Sequence, residues 1–216
     1  MSTDQHRCDG VKELMVKVCH LLAERNFTTA TGGNVSVRVE DGSFWVTPGR
    51  LHKARVTEAD LVRIDGCGKK LEGARNPSSE ALMHLAVYRA LPRAGAVVHA
   101  HPPAATGYAQ AGKAIDTGCS SEAVAILGPQ VPLIRYERPS TDALAQAVAD
   151  SMHPGQKAYL MANHGVLTWG ADLWEAYDML DTLEIFAQSL VVATLVGGPK
   201  ELPRAEREWL VNKFRS

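Results

Sequence analysis

The run Gly95-Ala96-Val97-Val98-His99-Ala100-His101-Pro102-Pro103 constrains this chain more than any other stretch. Its apolar part reads as a buried strand, and strand side chains two positions apart share a face, so the imidazoles of His99 and His101 stand side by side. The two prolines cannot continue a central strand. The fold must therefore carry two imidazoles to the point where a strand leaves its sheet. Two neutral imidazoles aimed at one point suit a divalent metal that still needs one or two ligands.

The rest of the chain limits what such a site could serve. At 216 residues it is most simply one domain, spanning 1–216, with a sizeable core. The 23 basic and 24 acidic residues nearly cancel, so no general attraction to nucleic acid or an anionic membrane is expected, and any anion must be held by local geometry. Cys8, Cys19, Cys67 and Cys119 are far apart and form no CxxC pair, which reads as unpaired thiols in a reducing compartment. The opening MSTDQHRCDG lacks a signal-peptide pattern, and no apolar run reaches the roughly 18 residues of a membrane span. A cytoplasmic protein is the expectation.

Periodicity predicts a first helix from about Val11 to Arg25, then a Thr- and Gly-rich turn over 28–34. Val35 to Val39 alternates, and Asp41-Gly42 followed by Phe44-Trp45-Val46 completes a hairpin signal. Leu61 to Ile64 reads as a strand, and a helix is expected from Glu80 to Leu91, opened by Pro77-Ser78-Ser79. Short elements follow around Val124–Leu127 and Val131–Ile134. Ser140 is placed to cap a helix running to about Ser151, and strands are expected at Ala158–Met161 and Val166–Trp169. A long helix is expected over about Leu173–Leu195, with a helical tail. The pattern is that of one α/β domain with hairpins rather than a regular βαβ ladder.

His164, in the turn Asn163-His164-Gly165, is the best third partner for the histidine pair. Three histidines leave a coordination position open, as catalytic metal sites do. A lone histidine would more simply be a hydrogen-bonded core or surface side chain. Gly32-Gly33-Asn34 lets backbone N–H groups approach an anion, although alone it also fits an ordinary glycine turn. Ser78 and Ser79 offer hydroxyls at the positive end of a helix, which equally fits simple capping. Arg50, just past Thr47-Pro48-Gly49, completes three anion-friendly loops. Glu80 could move protons beside a metal, or could simply favour a helix N-terminus. Glu122 is a second carboxylate in a polar stretch. His84, four residues after Glu80 on the same face, reads as a packing or supporting residue. His6, His20, His52 and His153 read as surface side chains.

In chain order, Gly32-Gly33-Asn34-Val35-Ser36, Thr47-Pro48-Gly49, Pro77-Ser78-Ser79-Glu80, His99-Ala100-His101-Pro102 and Asn163-His164-Gly165 resemble the class II aldolase/adducin family. The resemblance covers nearly the whole chain, and within the family it is greatest to the enzymes that cleave L-fuculose 1-phosphate. It implies an αβα sandwich around a central, mostly antiparallel sheet, assembled as a cyclic homotetramer with active sites at subunit interfaces. It also implies a divalent metal on His99, His101 and His164, commonly zinc, with manganese and cobalt suited by the same imidazoles. Gly33, Asn34, Thr47, Gly49, Arg50, Ser78 and Ser79 then fall at or beside the phosphate-binding positions, and Glu80 matches the acid/base.

The implied reaction is reversible cleavage of a ketose 1-phosphate to dihydroxyacetone phosphate and an aldehyde, eased by polarising the ketone as an enediolate forms. Thr47-Pro48-Gly49-Arg50 departs from the family's usual threonine or serine before the glycine, which puts Arg50 in the phosphate pocket. The tyrosine expected after the HxH pair is missing, with Ser120 or Ser121 about there, and the tail lacks a C-terminal tyrosine. A 5-deoxy- or 5-methylthio-pentulose 1-phosphate would reconcile Glu80 with those missing tyrosines. A methylthioribulose-1-phosphate dehydratase, using Glu122, is the alternative enzyme. An adducin-type scaffold without catalysis is the non-enzyme alternative.

Overall fold

The computed structural model describes residues 3–215, with side chains from Gly10 onward; Cys8 and His6 lie outside the described side chains. The expected hairpin forms β1 (Asn34–Arg38) and β2 (Phe44–Val46), paired antiparallel. Asp41 shapes its turn by accepting hydrogen bonds from the Ser43 amide and hydroxyl. β2 pairs with β3 (Val62–Ile64), and β3 with a short β4 (Lys70–Glu72) that the sequence pattern does not announce. On its other side β1 pairs with β5 (Ala96–Ala100), the strand that carries His99.

With β8 (Leu133–Ile134), β9 (Ala158–Met161) and β10 (Gly165–Gly170), these strands make one sheet in the order β4-β3-β2-β1-β5-β10-β9-β8. Its pairings are antiparallel except β8 with β9, which is parallel. β6 (Ile115–Asp116) and β7 (Gln130–Val131) form a separate antiparallel ribbon. The mostly antiparallel sheet expected from the resemblance is present.

Alternation along the strands feeds two cores. Ala96, Val98 and Ala100 of β5 pack toward α1 (Thr3–Glu24), α3 (Pro103–Gln110), α4 (Ser121–Leu127) and α6 (Leu173–Leu195). Val97 packs on the opposite side, against α2 (Ala81–Ala90) and α5 (Asp142–Ser151). Each fully buried aliphatic side chain in these layers contributes about 1.5–3 kcal/mol, which fixes the strand faces. By the same alternation His99 faces α2. α7 (Arg204–Phe214) packs against α4.

Several features differ from expectation, and α1 begins at Thr3 rather than about Val11. α2 begins at Ala81, leaving Glu80 at its N-cap with a side chain that makes no capping bond. α5 is capped by Thr141, whose hydroxyl accepts from the Leu144 amide at 3.3 Å. Ser140 has φ of 64°, a left-handed bend incompatible with the extended backbone a cap needs, and its hydroxyl bonds Ser79 at 2.9 Å. The stretch around Val124–Leu127 is helical because Ser120 caps it and Gly128, at φ 87°, ends it. α6 matches its expected bounds, opened by the Asp172 cap. Among the described residues no helix is long and apolar enough to cross a membrane, and Cys19, Cys67 and Cys119 are free.

Candidate metal centre and anion cleft

His99 is fully buried, and its Nδ1 donates to the Val166 carbonyl at 2.8 Å. That bond assigns the proton to Nδ1 and leaves the Nε2 lone pair free. Where β5 ends, the His101 amide turns away to bond Phe27 at 2.7 Å. His164 comes from the turn between β9 and β10, where Asn163 takes the left-handed conformation at φ 54°. The three rings lie 4.7, 4.7 and 5.6 Å apart between centroids, and one ligand nitrogen from each lies within 4.8 Å of the others.

This donor set fits a divalent metal. His99 Nε2, His101 Nδ1 and His164 Nδ1 are buried without hydrogen-bond partners, and leaving such a group unpaired costs about 1–3 kcal/mol. Burial holds His99 well below its ordinary pKa, and His101 below its own, which keeps both in the neutral, ligating form. Two glycines make the approach possible. A Cβ at Gly165 would lie 2.6 Å from the Ala100 oxygen and 2.7 Å from His101 Cδ2, and one at Gly32 would lie 3.0 Å from His101 Nδ1.

Glu80 meets the cluster from the α2 side. Its Oε1 lies 3.1 Å from His164 Nε2 and its Oε2 lies 3.5 Å from His99 Nε2. Asn34 Nδ2 donates to Oε2 at 2.7 Å. Burial of itself would raise the carboxyl, but the hydrogen bonds from His164 and Asn34 outweigh it. The net effect holds Glu80 anionic, well below the usual carboxylate range.

A cleft of about 900 Å³ opens above Glu80, His101 and His164. Gly33, Asn34, Gly49, Arg50, Ser78 and Ser79 all line it, so most of the sequence-selected anion ligands meet in one place. Gly33 sits at φ 70°, and a Cβ there would approach the His99 carbonyl to 3.0 Å, so only glycine keeps this wall close to the histidines. Arg50, also left-handed at φ 58°, is exposed where it lines the cleft.

Two expected site residues are not brought to the cleft. Thr47 is fully buried; its hydroxyl accepts from the Val35 amide at 3.1 Å and its carbonyl from Ser78 at 3.1 Å, so it ties the loops together from behind. Glu122 is exposed in the first turn of α4, which packs on α6 and α7, and does not line the cleft of its own chain. Sequence reasoning missed Arg75 and Asn76, which do line it; the Arg75 Nε is held by Asp60 at 2.5 Å, a loop pairing with no periodic signature. Among the other histidines, His20 and His52 are half-buried hydrogen-bonding residues rather than free surface groups.

The model of the Class II Aldolase and Adducin N-terminal domain matches residues 13–191. The chain belongs to the class II aldolase and adducin family. Its enzymes are metal-dependent lyases acting on sugar phosphates. The chain is 33% identical over 204 residues to a 5-deoxy-D-ribulose 1-phosphate aldolase of Bacillus thuringiensis serovar kurstaki, covering 94% of each protein. It is 31% identical over 183 residues to a methylthioribulose-1-phosphate dehydratase of Methylococcus capsulatus, covering 79% of this chain and 87% of that one. A solved L-fuculose 1-phosphate aldolase superposes with a TM-score of 0.87 at 32% identity, over 96% of this chain and 97% of the other.

Proposed function

We propose that this class II aldolase-family protein, acting as a single domain over 1–216, reversibly cleaves a ketose 1-phosphate to dihydroxyacetone phosphate and an aldehyde. The observation that carries the reading is the anionic Glu80 carboxylate between His99 and His164, on the floor of a cleft walled by anion-binding loops. A divalent metal held by His99, His101 and His164, zinc first and manganese or cobalt as alternatives, would supply positive charge to the substrate's C2 and C3 oxygens.

The protein's own groups do the rest. Ser78, Ser79, Asn34, Arg50 and the amides at Gly33 and Gly49 hold the phosphate and so fix the register of C1 to C3. The C3–C4 bond breaks with its electron pair moving to C3 and into the carbonyl, while the C4 hydroxyl proton passes to the anionic Glu80 carboxylate and the aldehyde departs. Glu80 then carries a proton to C3, and in the synthetic direction removes it.

The relative active on 5-deoxy-D-ribulose 1-phosphate supports a 5-deoxy- or 5-methylthio-pentulose 1-phosphate as substrate, ahead of fuculose 1-phosphate. The dehydratase reading, supported by the Methylococcus relative, would call on Glu122, which lies outside the cleft. We further propose a cytoplasmic homotetramer with active sites at subunit interfaces. The exposed apolar residues Ile185, Val192 and Leu195, on one face of α6, support such an assembly.

A coupled assay for dihydroxyacetone phosphate over 5-deoxyribulose, 5-methylthioribulose and fuculose 1-phosphates tests the reaction. Release of dihydroxyacetone phosphate from at least one, abolished by chelation and restored by zinc, is expected. Loss of water without carbon–carbon cleavage would overturn the aldolase reading.

A further inference from the structure

A buried polar file runs away from Glu80 along the interface between β1 and α2, and the steps above make no use of it. Asn34 and Ser36, two apart on β1, face α2, whose Glu80, His84 and Tyr88 are four apart. The strand period and the helix period thus lay two polar rows against each other. Asn34 Nδ2 lies 2.7 Å from Glu80 Oε2, and His84 Nε2 lies 2.5 Å from Asn34 Oδ1. Ser36 Oγ lies 2.7 Å from His84 Nδ1 and 2.8 Å from the Tyr88 hydroxyl. Asn34, Ser36, His84 and Tyr88 are each no more than 5% exposed.

The proton direction along this file follows from its ends. Glu80 is anionic and can only accept, so Asn34 must turn its NH2 toward it and its oxygen toward His84. His84 then donates through Nε2–H and carries its lone pair on Nδ1. Ser36 donates to that lone pair, and Tyr88 donates to Ser36. No member can reverse alone without leaving a buried donor or acceptor unpaired.

We propose that His84 is a positioning residue for the reaction: through Asn34 it locks the orientation of the carboxamide that holds Glu80 in line with the substrate. Without the Nε2–H donor, the carboxamide is free to flip and present its oxygen to the carboxylate, which displaces Glu80 from its proton-transfer geometry. This inference rests on the reading of Glu80 as the proton carrier.

The test uses the metal-loaded protein and three variants. His84→Leu is expected to lower kcat for ketose 1-phosphate cleavage about 10- to 100-fold with KM little changed. His84→Gln, whose amide can donate to Asn34 and accept from Ser36, is expected to restore most of the loss. His84→Asn reaches only the Nδ1 position, should behave like His84→Leu, and supplies the same contrast if the leucine variant does not fold. In an Asn34→Ala background, His84→Leu should add no further loss. Nitrogen-15 spectra should show His84 protonated at Nε2 and bare at Nδ1, a readout independent of activity. Equal impairment of the Gln and Asn variants, additive losses with Asn34→Ala, or an Nδ1–H tautomer would each overturn the proposal. Undiminished cleavage by Glu80→Gln would instead remove the reading beneath it, while leaving the tautomer as described.

Discussion

At the scale of single residues, the site works by holding buried groups in charge states they would not keep in water. His84 shows this in a measurable form. Burial lowers its pKa from the ordinary 6.5 to about 4, with the Glu80 charge opposing only in part. The folded protein therefore keeps His84 neutral down to about pH 4, while the unfolded chain takes up a proton through about 6.5. Between those values the unfolded state binds more protons, so stability falls as pH falls, by up to about 3 kcal/mol from this residue. Urea unfolding of wild type and His84→Gln at several pH values is expected to show a shallower acid decline in the variant between pH 7 and 4. Equal slopes would assign the acid sensitivity elsewhere.

At the scale of elements, the metal cluster is a product of close backbone approach at strand ends. Gly165 has an ordinary φ; its role is the space that a side chain would take from Ala100 and His101. Gly165→Ala would push the β10 end off β5, at about 1–3 kcal/mol for the overpacked contact. It is expected to weaken metal retention about 10- to 100-fold while the chain still folds. Metal content after dialysis, read beside the thermal midpoint, checks this; full retention would show that the glycine is not needed for the cluster.

Much at this scale was legible in the sequence. The His99/His101 pair needed only strand alternation and a proline stop, and α6 needed only helical periodicity. Other features were set by partners distant in the chain. β4 and the parallel β8 are short strands recruited by their neighbours. By the family resemblance Thr47 falls at a phosphate-binding position, yet the Val35 amide 12 residues away claims its hydroxyl. Glu122 lies in the polar stretch expected to hold a carboxylate, but the Ser120 cap makes that stretch a helix packed on α6 and α7. The file behind Glu80 was written as two periods, i,i+2 and i,i+4, and became a connected path only when β1 met α2.

At the scale of the whole molecule, the sheet divides the labour. β5, β10 and the loop before β1 bring the histidines and Gly33 to one end of the sheet, while α2 on one face delivers Glu80 and its support. The loops after β2 and before α2 complete the anion cleft, tied to each other by the Thr47–Ser78 bond. In the proposed reaction this cleft would hold the phosphate end of the substrate, with the aldehyde end as the variable part.

The central claim, that Glu80 moves a proton at C3 of a phosphate-anchored substrate beside the three histidines, is testable without knowing the aldehyde. Zinc-loaded protein incubated with dihydroxyacetone phosphate alone in deuterated water should exchange one C3 hydrogen for deuterium, as followed by proton NMR. Exchange should fall by about 10²- to 10⁴-fold in zinc-loaded Glu80→Gln. No exchange by the wild-type protein, or undiminished exchange by that variant, would contradict the account.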